Sequence, residues 1–120
     1  MQLFASADRE PATYTKEFMR PPGATGVRVD INYTAEGGAT ATLDFKLQYR
    51  DQAEGAWEDI TGASIVQMIA VGEIDLTVYP GLTAVANRLV TQVPLPKVLR
   101  AVAVVGTDNL TFAASAEFLD

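Results

Sequence analysis

Apolar and polar residues take turns through most of this chain. Val27, Val29, Ile31 and Tyr33 fall on one parity, with Arg28, Asp30 and Asn32 between them. Leu43, Phe45, Leu47 and Tyr49 alternate in the same way with Asp44, Lys46, Gln48 and Arg50. Successive side chains of a β-strand point to opposite faces, so each run can send one set inward and the other to solvent. A helix would scatter the same apolar residues around its circumference. The pattern predicts strands over residues 26–34 and 40–50, joined by a turn at Glu36-Gly37-Gly38, where glycine permits backbone angles that other residues resist. A short strand follows from Trp57 to Ile60, with a turn at Thr61-Gly62. Residues 73–79 alternate cleanly, with Ile74, Leu76 and Val78 on one face. Residues 98–105 are nearly all apolar apart from Arg100, as a strand covered on both faces would be. Gly106-Thr107-Asp108-Asn109 turns the chain into a last strand over 110–119.

The remaining stretches are less regular. Leu3-Phe4-Ala5 and Ala12-Thr13-Tyr14-Thr15 suit short edge strands, and Pro21-Pro22-Gly23 marks a turn or linker. The first 22 residues read either as a strand with a corner or as an arm laid on a neighbouring subunit. Residues 64–70, with Ile65, Val66, Met68 and Ile69, suit a strand or a short helical turn. Val85, Leu89 and Val93 have helical spacing, but the extended look of Thr91 to Pro96 favours a loop with a short strand. About seven to nine short strands separated by turns predict an all-β protein. The expected fold is an antiparallel two-sheet β-sandwich, jelly-roll or immunoglobulin-like, in a single domain over residues 1–120. Residues 1–25 are expected to be an N-terminal arm or edge strand.

Charge and composition narrow the function classes. The chain has 120 residues, 48% of them hydrophobic, and a formal net charge of −6. An acidic balance argues against nucleic acid, whose phosphates call for a basic stripe, and against anionic membranes. No apolar run approaches the roughly 20 residues of a membrane span. Met1-Gln2-Leu3-Phe4-Ala5 lacks the basic and apolar regions of a signal peptide, so synthesis in the cytoplasm is expected. Cysteine and histidine are both absent. That removes thiolate metal sites, the usual zinc ligand sets, Ser-His-Asp and Cys-His catalysis, and the commonest general base near neutral pH. The expectation is a protein that is not an enzyme, with no catalytic residue, no cofactor and no metal.

A few residues still invite a chemical reading. Asp51, Glu54, Glu58 and Asp59 cluster around one loop, and oxygen-rich loops can hold calcium. Their spacing does not match an EF-hand, and a solvated hairpin tip is the simpler reading. Gly37-Gly38 lacks the Lys and Ser/Thr of a phosphate loop. Trp57 at a strand start suits a core anchor between sheets, with a sugar-stacking platform, shared with Tyr49, as the alternative. Arg100 within an apolar strand needs a partner or an outlet. It sits either at an edge with its head in water or across a subunit interface.

The second half of the chain carries a recognisable order. An alternating strand leads to a loop with Asp51, Gly55 and Trp57, then to Leu76-Thr77-Val78-Tyr79-Pro80-Gly81-Leu82-Thr83. Pro94-Leu95-Pro96 follows, leading into Leu99-Arg100-Ala101-Val102 and a closing Leu110-Thr111-Phe112. Over residues 26–119 this resembles a group of small virion proteins encoded among the head genes of tailed bacteriophages. Lys97-Val98-Leu99 replaces the aromatic usual before the arginine, and Val105-Gly106 replaces a histidine-glycine turn. The resemblance implies a capsid decoration (cement) protein on the outer head surface. Its partner would be the major capsid protein, and it would act as a homo-oligomer, a trimer being favoured. Strand addition or arm exchange at unpaired edges then nominates Leu3, Phe4, Tyr14, Phe18, Arg20 and Arg100 as interface residues. A head-tail connector or tail component, or a carbohydrate-binding adhesion module, is the alternative.

Overall fold

The computed structural model describes residues 1–80, 89–91 and 94–120, and the strands within them pair in a nested order. β1 (Gln2–Arg9) lies against β9 (Leu110–Leu119), and β2 (Ala12–Met19) against β8 (Val98–Gly106). β3 (Gly26–Glu36) lies against β6 (Gly72–Val78), and β4 (Thr42–Arg50) against β5 (Trp57–Ser64). First pairs with last, as if one long hairpin had been rolled up. Rolling interleaves the pairs into two sheets, β1-β9-β3-β6-β7 and β2-β8-β4-β5, where β7 (Leu89–Thr91) adds parallel to β6. Of the two sandwich types the sequence allows, this is the jelly-roll: β1 and β2 lie in different sheets, unlike the first strands of an immunoglobulin domain.

Alternation decides what fills the space between the sheets. Val27, Val29, Ile31 and Tyr33 of β3 face Leu43, Phe45 and Leu47 of β4, all buried. β8 and β9 add Leu99, Ala101, Ala103, Leu110, Phe112, Ala114 and Ala116. The alanines leave room for rings: Phe4 meets Phe45 edge-on at 6.3 Å and Phe112 at 5.5 Å. Arg9 closes one end of this cluster, its guanidinium 4.9 Å from the Phe112 ring centroid and 5.3 Å from that of Tyr14. Each large apolar side chain so buried contributes about 1.5–3 kcal/mol relative to exposure.

Four local readings change. Residues 1–25 supply the two edge strands β1 and β2 on one side of the sandwich, both longer than the predicted pieces. Thr61-Gly62 is not a turn but the bulged middle of β5, where register slips between Lys46↔Ser64 and Gln48↔Asp59. Gly62 has φ 81°, so the left-handed residue that suggests a turn kinks the strand instead. Gly37 and Gly38 do not take positive φ; they are small because the neighbouring turn is close. A Cβ on Gly37 would stand 2.6 Å from the Asn109 carbonyl oxygen, to which Gly37 N–H donates at 2.7 Å. Finally, β8 is fully covered on its inner face only. A two-layer fold has nothing to lay over the outside of a sheet, so Val98, Arg100 and Val104 are half-exposed there.

Residues 65–71 are neither strand nor helix. Leu43 and Met68 exchange two backbone hydrogen bonds of 2.9 Å, which pin the segment to β4 by a single bridge. Of the 82–93 stretch, 89–91 form β7, and the spacing of Val85 and Val93 lies outside the described residues.

Candidate functional site

Polar chemistry gathers on the outside of the four-stranded sheet. The register aligns Glu17 of β2, Arg100 of β8, Gln48 of β4 and Asp59 of β5 in one row across all four strands. Side chains directly opposite in a sheet touch, so the row becomes a relay. Arg100 Nε donates to Gln48 Oε1 at 3.0 Å, and Nη2 donates to the same oxygen. Gln48 Nε2 in turn donates to Asp59 Oδ1 at 2.8 Å. Lys46 Nζ meets that carboxylate oxygen at 3.0 Å. Gln48 itself is buried, and its amide is matched on both sides. The hydrogen bond from Gln48, then that from Lys46, hold the Asp59 carboxyl below its usual range.

Trp57 lies on this outer face beside the row, and not in the core. Its ring lies 4.6 Å from the Arg100 guanidinium carbon, half-buried and outside the core cluster. The core-anchor expectation for Trp57 is therefore corrected: its strand parity, in register with Arg50, turns it to the outer face. Arg100 is corrected too, because β8 is an interior strand of its sheet and its head is held by Gln48 and Trp57, not by a free edge. Tyr49 packs against the core, and its hydroxyl donates to Glu58 Oε2 at 2.7 Å; this carboxylate raises the phenol above its ordinary value. Alternation puts Tyr49 and Trp57 on opposite faces, so the two rings do not share a platform.

The nominated interface residues are mostly consumed within the chain. Leu3, Phe4 and Phe18 are buried in the core, because β1 and β2 lie on their own sandwich, and a register shift in β1 between Gln2 and Phe4 lets the consecutive Leu3 and Phe4 both turn inward. Tyr14 stacks on Arg9 and donates to the Glu10 carbonyl at 2.7 Å. Arg20 donates from Nη1 to the Leu95 carbonyl and from its backbone N–H to that of Lys97, both at 2.9 Å. It clamps the end of β2 to the segment that leads into β8.

A second polar group lies on the outside of the other sheet, and sequence reasoning missed it. Asp30 and Asp75 are directly opposite across β3 and β6, and carboxylate oxygens of Asp30, Glu73 and Asp75 lie within 4.8 Å of one another. The hydrogen bond to Asp75, then burial, then the Asp75 charge push Asp30 up to about 6. Arg28 relieves little of this, standing 3.8 Å from Asp30 while its Nη2 is committed to Glu117 at 2.6 Å. Asp30 and Glu73 help line a shallow groove of about 460 Å³ that ends at Met1 and Phe4. The only signal in the sequence was two aspartates on polar parity, 45 positions apart. The loop carboxylates suggested for calcium go separate ways: Asp51 caps its own turn through Ala53, Glu58 takes Tyr49, and Asp59 takes Gln48.

Asp51, Glu58 and Asp59 hold strands and turns together. No family model matches the chain, and no curated protein or solved structure matches it.

Proposed function

We propose that this chain is a non-enzymatic structural protein of a tailed-phage virion. It decorates the outer surface of the head, binds the major capsid protein there and stabilises the shell. The observation that carries this reading is a filled jelly-roll whose distinctive features all lie on its outside. Tyr33, Phe45 and Phe112 occupy the interior, while uncovered apolar side chains at Val66, Ile69 and Val71 project from the 65–71 segment. The fold alone is shared by many functions and does not decide among them. Two segments behind the family resemblance also act as joints. Tyr79 donates to the Asp120 carbonyl at 2.8 Å, and the Pro94-Leu95-Pro96 segment takes the Arg20 clamp. Gly81, Leu82 and Thr83 of the same pattern lie outside the described residues.

The test is co-sedimentation of the purified chain with capsids that lack it. Saturable binding at a stoichiometry set by capsid symmetry is expected. Failure to bind mature capsids, with binding to isolated necks or tails, would replace this reading with a connector role.

A further inference from the structure

Each sheet of the sandwich ends in two edge strands, β1 and β7 in one and β2 and β5 in the other. An edge leaves the N–H and C=O of every second residue without a ladder partner, so a long, regular edge invites another strand. Three of these edges are blunted. β1 slips register between Gln2 and Phe4 and again between Phe4 and Ala7, β5 carries the bulge at Gly62, and β7 has only three residues.

β2 has no such device. Its eight residues pair one to one with β8, from Ala12↔Val105 to Met19↔Val98, with no slip and no proline or glycine. All of them but Tyr14 and Phe18 are exposed, and among the described residues no strand pairs with the other edge. A row of backbone donors and acceptors at strand spacing is complementary to one thing, another extended backbone.

The side chains of β2 narrow which backbone that is. Tyr14, Lys16 and Phe18 share the inner parity, opposite Ala103, Ala101 and Leu99 of β8. Phe18 reaches the core, whereas Lys16 stays exposed and makes no ion pair among the described residues. A lysine on the inner parity of an edge turns away apolar strands and favours one with a carboxylate opposite it. A second copy of β2 cannot offer that group. Two copies joined antiparallel, edge to edge, turn about an axis normal to the sheet, which sets inner parity against inner parity. Ala12, Tyr14, Lys16 and Phe18 include no acid.

We propose that β2 takes up an extended segment of the capsid protein as a fifth strand of its sheet, with a carboxylate of that segment facing Lys16. Backbone pairing supplies the affinity and Lys16 the selectivity. This contact presupposes the capsid role proposed for the chain.

Hydrogen–deuterium exchange of the full chain, alone and bound to capsids that lack it, tests the contact. Alternate amides of β2 should exchange freely in the chain alone and slow by about tenfold or more on the capsid, while those of β1 and β5 stay unchanged. Lys16→Glu should keep the far-ultraviolet spectrum of the fold and weaken capsid binding by about tenfold, because attraction becomes repulsion. Lys16→Gln should weaken it less. Capsid binding that leaves β2 exchange unchanged would overturn the contact and leave the capsid role standing. Protection of β2 that grows with the concentration of the chain alone would overturn it in favour of a second copy. Wild-type affinity in Lys16→Glu would overturn the facing carboxylate. A wild-type chain that binds no capsid would overturn the role and the contact together.

Discussion

The two outer faces of this sandwich solve the same problem in opposite ways. Each brings polar side chains from neighbouring strands into direct opposition. On the four-stranded sheet the opposed groups are complementary, so Arg100, Gln48 and Asp59 form a relay and the Asp59 carboxyl drops below its ordinary range. On the five-stranded sheet they are alike, and the hydrogen bond to Asp75, then burial, then the Asp75 charge lift Asp30 to about 6. The strand geometry is equivalent; only the chemistry of the opposed residues differs. Register thus makes one face a settled polar surface and leaves the other with an electrostatic cost that pH can tune.

Breaking the settled face should have the largest effect. Arg100→Ala removes a charged donor from Gln48 and a cation from Trp57, and should cost about 2 kcal/mol in urea unfolding. A loss under about 0.5 kcal/mol, the level of an ordinary surface change, would mean that the relay holds nothing together.

Relieving the strained face comes next and has the opposite sign. The folded pKa of Asp30 is raised above 3.8, so the native state holds the proton more tightly than the unfolded one. Its contribution to stability is complete below pH 3.8 and is lost as pH rises through about 6. Asp30→Asn should therefore stabilise the protein at pH 7 by about 1 kcal/mol, a figure discounted for an exposed position screened by solvent. The gain should vanish in the same urea titration below pH 3.8. An equal gain at both pH values would show that the carboxyl pair is not its source.

The smallest effect sharpens the comparison. Lys46→Gln removes a half-exposed ion pair from Asp59 but leaves the Gln48 hydrogen bond. The loss should be about 0.5 kcal/mol at low salt and should disappear in molar salt. A loss as large as that of Arg100→Ala would place Lys46, not Gln48, at the centre of the row.

How much of the molecule is legible in its sequence depends on the range over which each signal acts. Alternation is local, so the strand at Val27 to Tyr33 and the β-sandwich class can be read from the order of residues alone. Pairing is not local. Nothing in that order tells that β1 meets β9, and so nothing places Asp30 opposite Asp75 or Gln48 opposite Arg100. Trp57 shows the same gap on a smaller scale. Its aromatic bulk suits the core, but its face depends on a strand parity that the Gly62 bulge obscures. Arg9 looks like one more charge in a turn, although the fold closes Phe4, Tyr14 and Phe112 around it. Leu3, Phe4 and Phe18 read equally well as interface or core, because a surface strand and an exchanged arm have the same apolar parity.

The most direct test of the central claim, a contact module acting on the head surface, is electron cryomicroscopy of phage heads with and without the chain. The prediction is added density on the outside of the shell at symmetry-related positions, each holding sandwiches of about 41 × 35 × 22 Å. Density confined to the neck or tail, or heads that look the same either way, would contradict it.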